Sequence, residues 1–157
     1  MKKYEVTDET IVSKGTPLHR INALRAFGNV KVGDLGGYIE KEENLSHEGN
    51  AWVYGNAWVY GNAKVCGDAE VYGDAEVCGN AWVCSNSDFL CFKGLGSVNR
   101  NTTFFKCKDG HTQVKCGCFS GNLEKFEQKV TKTHGDSKYA KEYLACVEVV
   151  KVHFEVK

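Results

Sequence analysis

A short repeat occupies the middle of the chain and constrains its fold more than any other feature. Six consecutive hexapeptides between Gly49 and Cys84 read GNAWVY, GNAWVY, GNAKVC, GDAEVY, GDAEVC and GNAWVC. Four of the six places barely vary: glycine, then asparagine or aspartate, then alanine, with valine in the fifth place. A fixed short period predicts a solenoid, because each repeat buries its apolar side only by stacking on its neighbours.

Valine and alanine lie four residues apart across successive hexapeptides, as Val53 and Ala57 do. A large and a small apolar residue at this spacing resembles the repeats of left-handed parallel β-helices. The resemblance implies three hexapeptides per triangular coil, so that residues 18 positions apart stack on one another. The ladders expected from it pair Trp52 with Glu70, Trp58 with Glu76, and Lys64 with Trp82.

The expected fold class is mainly β, a short left-handed parallel β-helix followed by a small α+β domain. Three segments follow from this expectation. Residues 1–48 are a lead-in hairpin with an irregular capping coil, residues 49–85 are the regular coils, and residues 86–157 are an α+β ligand-binding module. In the last segment, Asp109-Gly110 predicts a type I′ hairpin that sets Phe105 opposite Val114 beneath two helices.

The two predicted helices have clear boundary signals. Ser120 or Asn122 is a suitable N-cap for a helix with the apolar stripe Leu123, Phe126 and Val130, and Gly135 is a suitable stop. Asp136 or Ser137 can then cap a second helix. Its apolar stripe consists of Tyr139, Tyr143, Leu144, Val147 and Val150.

Charge and cysteine content limit the function classes. The net charge is zero, which does not favour general nucleic-acid binding, although residues 86–157 carry 12 basic against 8 acidic residues. With no signal-peptide pattern and no apolar run long enough to span a membrane, we expect a cytoplasmic protein. Cysteine replaces tyrosine in sister repeats, so we expect the eight cysteines to be reduced, with no metal and no cofactor.

Aromatic side chains are expected on the outside of the repeats. Such a surface is too apolar to leave in water, and it predicts either a homo-oligomer interface, with a trimer favoured, or a face covered by the C-terminal module. A stacking platform for planar ligands is the alternative. The residues concerned are Trp52, Trp58, Trp82, Tyr54, Tyr60 and Tyr72.

A polar loop in the C-terminal segment is the main candidate site. Residues 94–103 combine two glycines, two amides, three hydroxyls and one arginine, which suit an anion. A second set of donors, residues 117–122, is expected at a helix N-terminus. The predicted ligand-binding residues are Ser97, Asn99, Arg100, Thr102, Thr103, Lys106, Ser120 and His134.

Two other chemistries remain open at this point. Many left-handed β-helix proteins are trimeric acyltransferases that use a histidine as general base, and here His47 or His134 would take that role. A zinc site is the second alternative, although the chain has no CxxC pair. Its ligands would be Cys107, Cys116 and Cys118, with Cys91 or His111.

The chain also resembles small phage and prophage proteins. The similarity rests on DLGGYIEKEENLS, the hexapeptides, TTFFKCKDG, CGCFSG and THG. Phage context implies a non-catalytic binding protein that sequesters a small anionic, nucleotide-like ligand on an oligomer, as a counter-defence sponge. An acyltransferase-like enzyme and a structural or protein-binding phage component are the alternatives.

Overall fold

The structure is a computed structural model and describes residues 1–156. The N-terminal segment contains β1 (Tyr4–Ser13), β2 (Thr16–Ala23) and β3 (Leu35–Ile39), followed by a 3-10 turn at Glu42–Asn44. Each hexapeptide contributes one short strand: β4 (Trp52–Val53), β5 (Trp58–Val59), β6 (Lys64–Val65), β7 (Glu70–Val71), β8 (Glu76–Val77) and β9 (Trp82–Val83). After a second 3-10 turn at Asn86–Asp88 come β10 (Phe89–Leu95), β11 (Arg100–Lys106), β12 (Thr112–Cys116), β13 (Phe119–Asn122), α1 (Leu123–His134) and α2 (Lys138–His153).

The expected ladders between hexapeptides are confirmed. Strands β4 and β7, β5 and β8, and β6 and β9 pair in parallel, with Trp52 beside Glu70, Trp58 beside Glu76 and Lys64 beside Trp82. The valine of every hexapeptide is buried, as is the alanine. These side chains form one apolar core along the repeats.

The predicted fold class is wrong. In place of a β-helix solenoid, the residues described form several small sheets, parallel, antiparallel and mixed, together with two C-terminal helices. Each hexapeptide strand is only two residues long, and β5 and β8 extend a mixed sheet in the order β1-β2-β3-β5-β8. The lead-in hairpin is present: β1 and β2 pair in antiparallel orientation, and β2 is the antiparallel neighbour of β3 in that same sheet.

The C-terminal segment has an antiparallel sheet in the order β10-β11-β12-β13. Its central register differs by one residue from the prediction, because Phe104 rather than Phe105 lies opposite Val114. The turn explains the shift. Within residues 108–110 only Gly110 has a positive φ, of 90°, and its N–H donates to the carbonyl of Cys107. Such a turn contains one residue more than the expected type I′ turn.

The register decides what each face of this sheet contacts. Phe104 and Val114 pack under the helices, whereas Phe105 and Cys107 pack against the repeats. Asn122 caps α1 and Ser137 caps α2, both within the predicted choices, and Gly135 ends α1 as expected. Within the described chain, neither helix has the length and hydropathy needed to cross a membrane.

The aromatic residues of the repeats do not form one exposed ladder. Trp52 is 1% exposed and lies against Tyr4 and Phe27, with ring centroids 6.1 and 5.2 Å away, so the N-terminal segment covers it. Trp82 is 38% exposed and lies below the ammonium groups of Lys64 and Lys108. The expectation that Trp52 is an outward interface residue is therefore wrong.

The cysteines also differ from expectation. Cys66 and Cys84 stack one repeat layer apart, with their Cα atoms 4.4 Å apart, and are joined as a disulfide. This pair departs from the expected reduced state, while the other six cysteines are free thiols. Cys107 lies in the core facing the repeats and Cys116 in the core under the helices, so the two do not share the face that the zinc alternative requires.

Candidate ligand-binding site

A cavity of about 290 Å³ lies beside the loop between β10 and β11. Three basic side chains line it, Arg100, Lys129 and His134, and none of its lining residues is acidic. Four further cavities in the described chain each include at least one carboxylate. The other residues that line the first cavity are Ser97, Val98, Cys116, Cys118, Phe119, Phe126, Val130, Thr133 and Tyr143.

Aromatic rings form the floor of this cavity. The centroids of Phe119 and Phe126 are 5.4 Å apart, and those of Phe126 and Tyr143 are 5.7 Å apart. The ring of His134 stacks on Tyr143, with centroids 5.7 Å apart and planes inclined by 26°. The planes of Phe119 and Phe126 are inclined by 53° and those of Phe126 and Tyr143 by 89°, so the basic groups lie beside an apolar surface of angled rings. Such a surface suits a ligand that has both an apolar part and a charge.

Helix α1 supplies one wall because of its residue spacing. Lys129 and Thr133 are four residues apart and therefore lie on one face, next to the apolar stripe that buries Phe126 and Val130. His134 is the last residue of the helix, where Gly135 ends it with a φ of 56°. This end of the helix, and not its N-terminus, borders the cavity.

The loop between β10 and β11 is fixed to α2. The N–H of Gly96 donates to a carboxylate oxygen of Glu142 at 2.9 Å, and the hydroxyl of Tyr143 donates to the carbonyl of Leu95 at 3.3 Å. Gly96 has a φ of 76° and lies against the Tyr143 hydroxyl, where a Cβ would collide. Only glycine fits this position, so the chain closes tightly onto the helix.

The state of Tyr143 is fixed by the same packing. Burial, together with the neighbouring Cys116, raises the pKa of Tyr143 to about 12. Its hydroxyl therefore stays protonated at neutral pH and remains a donor to the loop. The Cys116 thiol in turn accepts a hydrogen bond from Thr102 at 3.2 Å.

Arg100 is positioned by the turn between β12 and β13. Its guanidinium lies over Gly117, which has a φ of 57° and whose missing side chain leaves room for it. Neither Arg100 nor Lys129 has a carboxylate partner within 4.0 Å among residues 1–156. Their charges are therefore available to an anion that enters the cavity.

Three of the eight predicted ligand residues, Ser97, Arg100 and His134, line this one cavity. Asn99 has a positive φ of 53° in the turn that leads into β11, and it does not line the cavity. Thr102 lies beneath the site, where its hydroxyl bonds to Cys116.

The remaining three lie elsewhere. Thr103 faces the repeats, where its hydroxyl accepts from the N–H of Glu76 at 3.1 Å. The ammonium of Lys106 lies 5.7 Å from the ring centroid of Phe154, and the hydroxyl of Ser120 accepts from Gln113 at 3.1 Å. Of the second set of donors, residues 117–122, Cys118 and Phe119 line the cavity, whereas Ser120 does not.

Sequence reasoning missed Lys129, Thr133 and the aromatic floor. The spacing of Lys129 and Thr133 was a usable signal, because both follow the buried stripe of α1 by three residues. The floor had no such signal. Phe119 and Tyr143 are 24 positions apart, and only the packing of α2 on the sheet brings them together.

His47, the candidate base of the acyltransferase alternative, has both ring nitrogens engaged. Its Nδ1 accepts from the N–H of Lys3 at 3.2 Å, and its Nε2 lies 3.5 Å from a carboxylate oxygen of Glu42. The ring also stacks on Tyr4, with centroids 4.2 Å apart. A neutral imidazole in this arrangement directs its N–H at Glu42 and has no lone pair free for a substrate.

No protein-family model matches this chain. It is similar to a protein described as an uncharacterized acetyltransferase, YdcK, from Escherichia coli K12, with 34% identity over 62 residues. The similar region covers 34% of this chain and 19% of that relative, so the chain spans about a fifth of the relative's length.

Proposed function

We propose that the protein binds a small anionic, nucleotide-like molecule in the cavity beside Arg100 and holds it without converting it. The observation that carries the proposal is the lining: Arg100, Lys129 and His134 surround an aromatic floor, with no carboxylate among the lining residues. A phosphate would lie between these basic groups, and a base would lie on the aromatic rings. Both interactions are favourable and act on different parts of the same ligand.

The dimensions support one nucleotide unit. At about 290 Å³ the cavity is at the small end of the range typical of sites for small molecules. The loop that forms its wall is fixed by Glu142 and Tyr143, so little ordering is needed on binding. The resemblance to phage proteins supports a setting in which the ligand is withheld from the bacterial host cell, in its cytoplasm.

Calorimetric titration with adenosine 5′-monophosphate, inorganic phosphate and adenosine tests the proposal. We expect the nucleotide to bind more tightly than either fragment, and Arg100→Ala to weaken it by about tenfold or more. Lys106→Ala is the matched control, since Lys106 was a predicted ligand residue but lies outside the cavity. If Arg100→Ala and Lys106→Ala bind the nucleotide with equal affinity, the ligand does not bind in this cavity.

Native mass spectrometry adds a search for the ligand that does not depend on the choice of probe. Protein purified from a bacterial host with active nucleotide signalling should release a small anion at a fixed ratio to subunits after mild denaturation. The Arg100→Ala variant, purified in parallel, should release less. If the unchanged protein and Arg100→Ala release equal amounts of the molecule, the proposed site is wrong.

Acyl transfer is a second candidate, favoured by the similarity to a protein described as an acetyltransferase. Its test is release of free thiol from acetyl-coenzyme A, compared between the unchanged protein and the variants His47→Asn and His134→Asn. Thiol release that depends on either histidine would show that the protein is an acyltransferase and would contradict the binding proposal. Binding of nucleotide without thiol release would favour the binding proposal.

We also propose that the protein self-associates, with a trimer favoured, through the repeat surface that its own chain leaves uncovered. Trp82 and Tyr72 are the exposed aromatic residues there, at 38% and 59%. Large aromatic side chains are enriched in interfaces because each buries much apolar surface.

A further inference from the structure

Lys115 is a buried lysine next to the candidate site but outside its lining. It lies on β12 and is only 3% exposed. Its ammonium donates a hydrogen bond to the backbone carbonyl of Gly117, in the turn between β12 and β13. A lysine is rarely buried without such a partner, because removing its charge from water is costly.

Lys115 also lies at the junction between the C-terminal sheet and the repeats. Lys115 pairs across the sheet with Thr103, whose hydroxyl accepts from the N–H of Glu76 in β8 at 3.1 Å. Burial lowers the pKa of Lys115, and of its charged neighbours Glu76 raises this pKa whereas Lys14, at the tip of the β1–β2 hairpin, lowers it. The ammonium therefore sits where the repeats, the lead-in hairpin and the sheet meet.

Gly117 connects this junction to the cavity. Its carbonyl accepts from Lys115, while its α-carbon faces the guanidinium of Arg100. A movement of the turn would change the space in which Arg100 lies. Both cations thus contact the same glycine, and of the two only Arg100 lines the cavity.

We propose that Lys115 is a positioning residue of the ligand site: by holding the Gly117 carbonyl, it fixes the turn that seats Arg100. The inference rests on the proposed function of the cavity. It makes the junction between repeats and sheet part of the binding machinery, although no residue of the repeats lines the cavity.

A double-mutant cycle with adenosine 5′-monophosphate tests the proposal. Lys115→Met alone should weaken binding by about fivefold, because Arg100 loses its fixed position. In the Arg100→Ala background, the same change should have almost no further effect. Lys106→Met, which removes a lysine from the neighbouring strand, is the control and should leave affinity unchanged.

Each outcome of the cycle decides between two roles. Non-additive effects support positioning through Arg100, whereas full additivity shows that Lys115 acts on affinity independently of Arg100 and overturns the proposal. If the methionine variant does not fold, Lys115→Arg replaces it, because it keeps a donor at this place. Retained affinity in Lys115→Arg supports the proposal, and a loss equal to that of Arg100→Ala, with an unchanged melting temperature, contradicts it.

Amide hydrogen exchange without ligand separates this inference from the proposed function. In Lys115→Met, or in Lys115→Gln if only that variant folds, residues 116–119 should exchange faster, while residues 52–83 should be unaffected. Unchanged exchange in the turn overturns the role of Lys115. If exchange is faster but the unchanged protein binds none of the three probes, the inference about the turn stands and the proposed ligand is wrong.

Discussion

The side chain of Arg100 occupies the space next to Gly117 that a Cβ at that position would need. A glycine thereby decides where the main positive charge of the cavity is held. The relationship is local, involves one side chain and one turn, and can be tested by adding a single methyl group.

Gly117→Ala should weaken nucleotide binding, because the new Cβ displaces the guanidinium. It should also lower the free energy of unfolding by about 1 kcal/mol, since φ at this residue is positive. Gly110→Ala is the matched control: its φ is 90°, but nothing lies within 4 Å of the added atom. Titration calorimetry and urea denaturation measure both variants, and an equal loss of affinity would show that strain, not Arg100, is responsible.

Lys3 should make stability depend on pH. It is completely buried, and its ammonium donates to the carbonyl of Ala51 at 2.6 Å. Burial, together with the nearby Arg25, lowers the pKa of Lys3 from 10.5 to about 8. Between these values the unfolded chain binds more protons than the folded chain, so the contribution of Lys3 to stability rises with pH.

The measurement is urea denaturation of the unchanged protein and of Lys3→Met from about pH 7.5 to about pH 9.5. As the pH rises, the free energy of unfolding of the unchanged protein should increase relative to that of Lys3→Met by about 1 kcal/mol per pH unit. Taking the difference cancels the tyrosines and thiols that both proteins share. Lys2→Met, which removes an exposed lysine, is the control, and a pH dependence as large as that of Lys3→Met would contradict the assignment.

The two tryptophans that lie at corresponding places in the first and last hexapeptides should behave differently when changed. Trp82→Ala should reduce the mass of the oligomer measured by light scattering, because an exposed aromatic anchor is lost. Trp52→Phe should instead lower the free energy of unfolding by about 2 kcal/mol without changing the mass, since Trp52 is in the core. A mass of 17.4 kDa for the unchanged protein would contradict the proposed interface.

Oxidation state should change stability through Cys66 and Cys84. The disulfide closes a loop of sequence separation 18, which predicts about 3 kcal/mol of stabilisation over the reduced protein. Melting with and without a reductant measures this difference, and peptide mapping identifies the pair. Cys66→Ser should remove the response to reductant, whereas Cys118→Ser should keep it.

The repeats were the most predictable part of the fold. Their spacing predicts which residues pair, because each strand repeats the same short pattern, and Trp58 lies beside Glu76 as expected. An irregular capping coil was expected before the repeats, and β3 lies there, with Tyr38 beside Trp58 and Ile39 beside Val59. The sequence did not predict this register, of 20 positions instead of 18, or that β2 would join the same sheet and make it mixed.

The candidate site was only partly predictable for a similar reason. Arg100 and Ser97 belong to a polar loop that is visible in the sequence, and His134 precedes a helix stop. Thr103 was predicted to bind ligand because it is a hydroxyl next to that loop, yet alternation along β11 directs it to the repeats. The one-residue shift in register between β11 and β12 changes which residues lie opposite each other, and it arises at the turn that contains Gly110. The pair Asp109-Gly110 alone does not specify the length of that turn.

Length variation in this protein should follow the spacing of its ladders. Residues 18 positions apart pair in each of the three parallel ladders of the hexapeptides. An insertion of one hexapeptide between Cys66 and Cys84 would move every later strand to a different ladder and separate these two cysteines. An insertion of three hexapeptides would return each strand to its own ladder and lengthen the stack by one layer. Homologous chains are therefore expected to gain or lose repeats in threes.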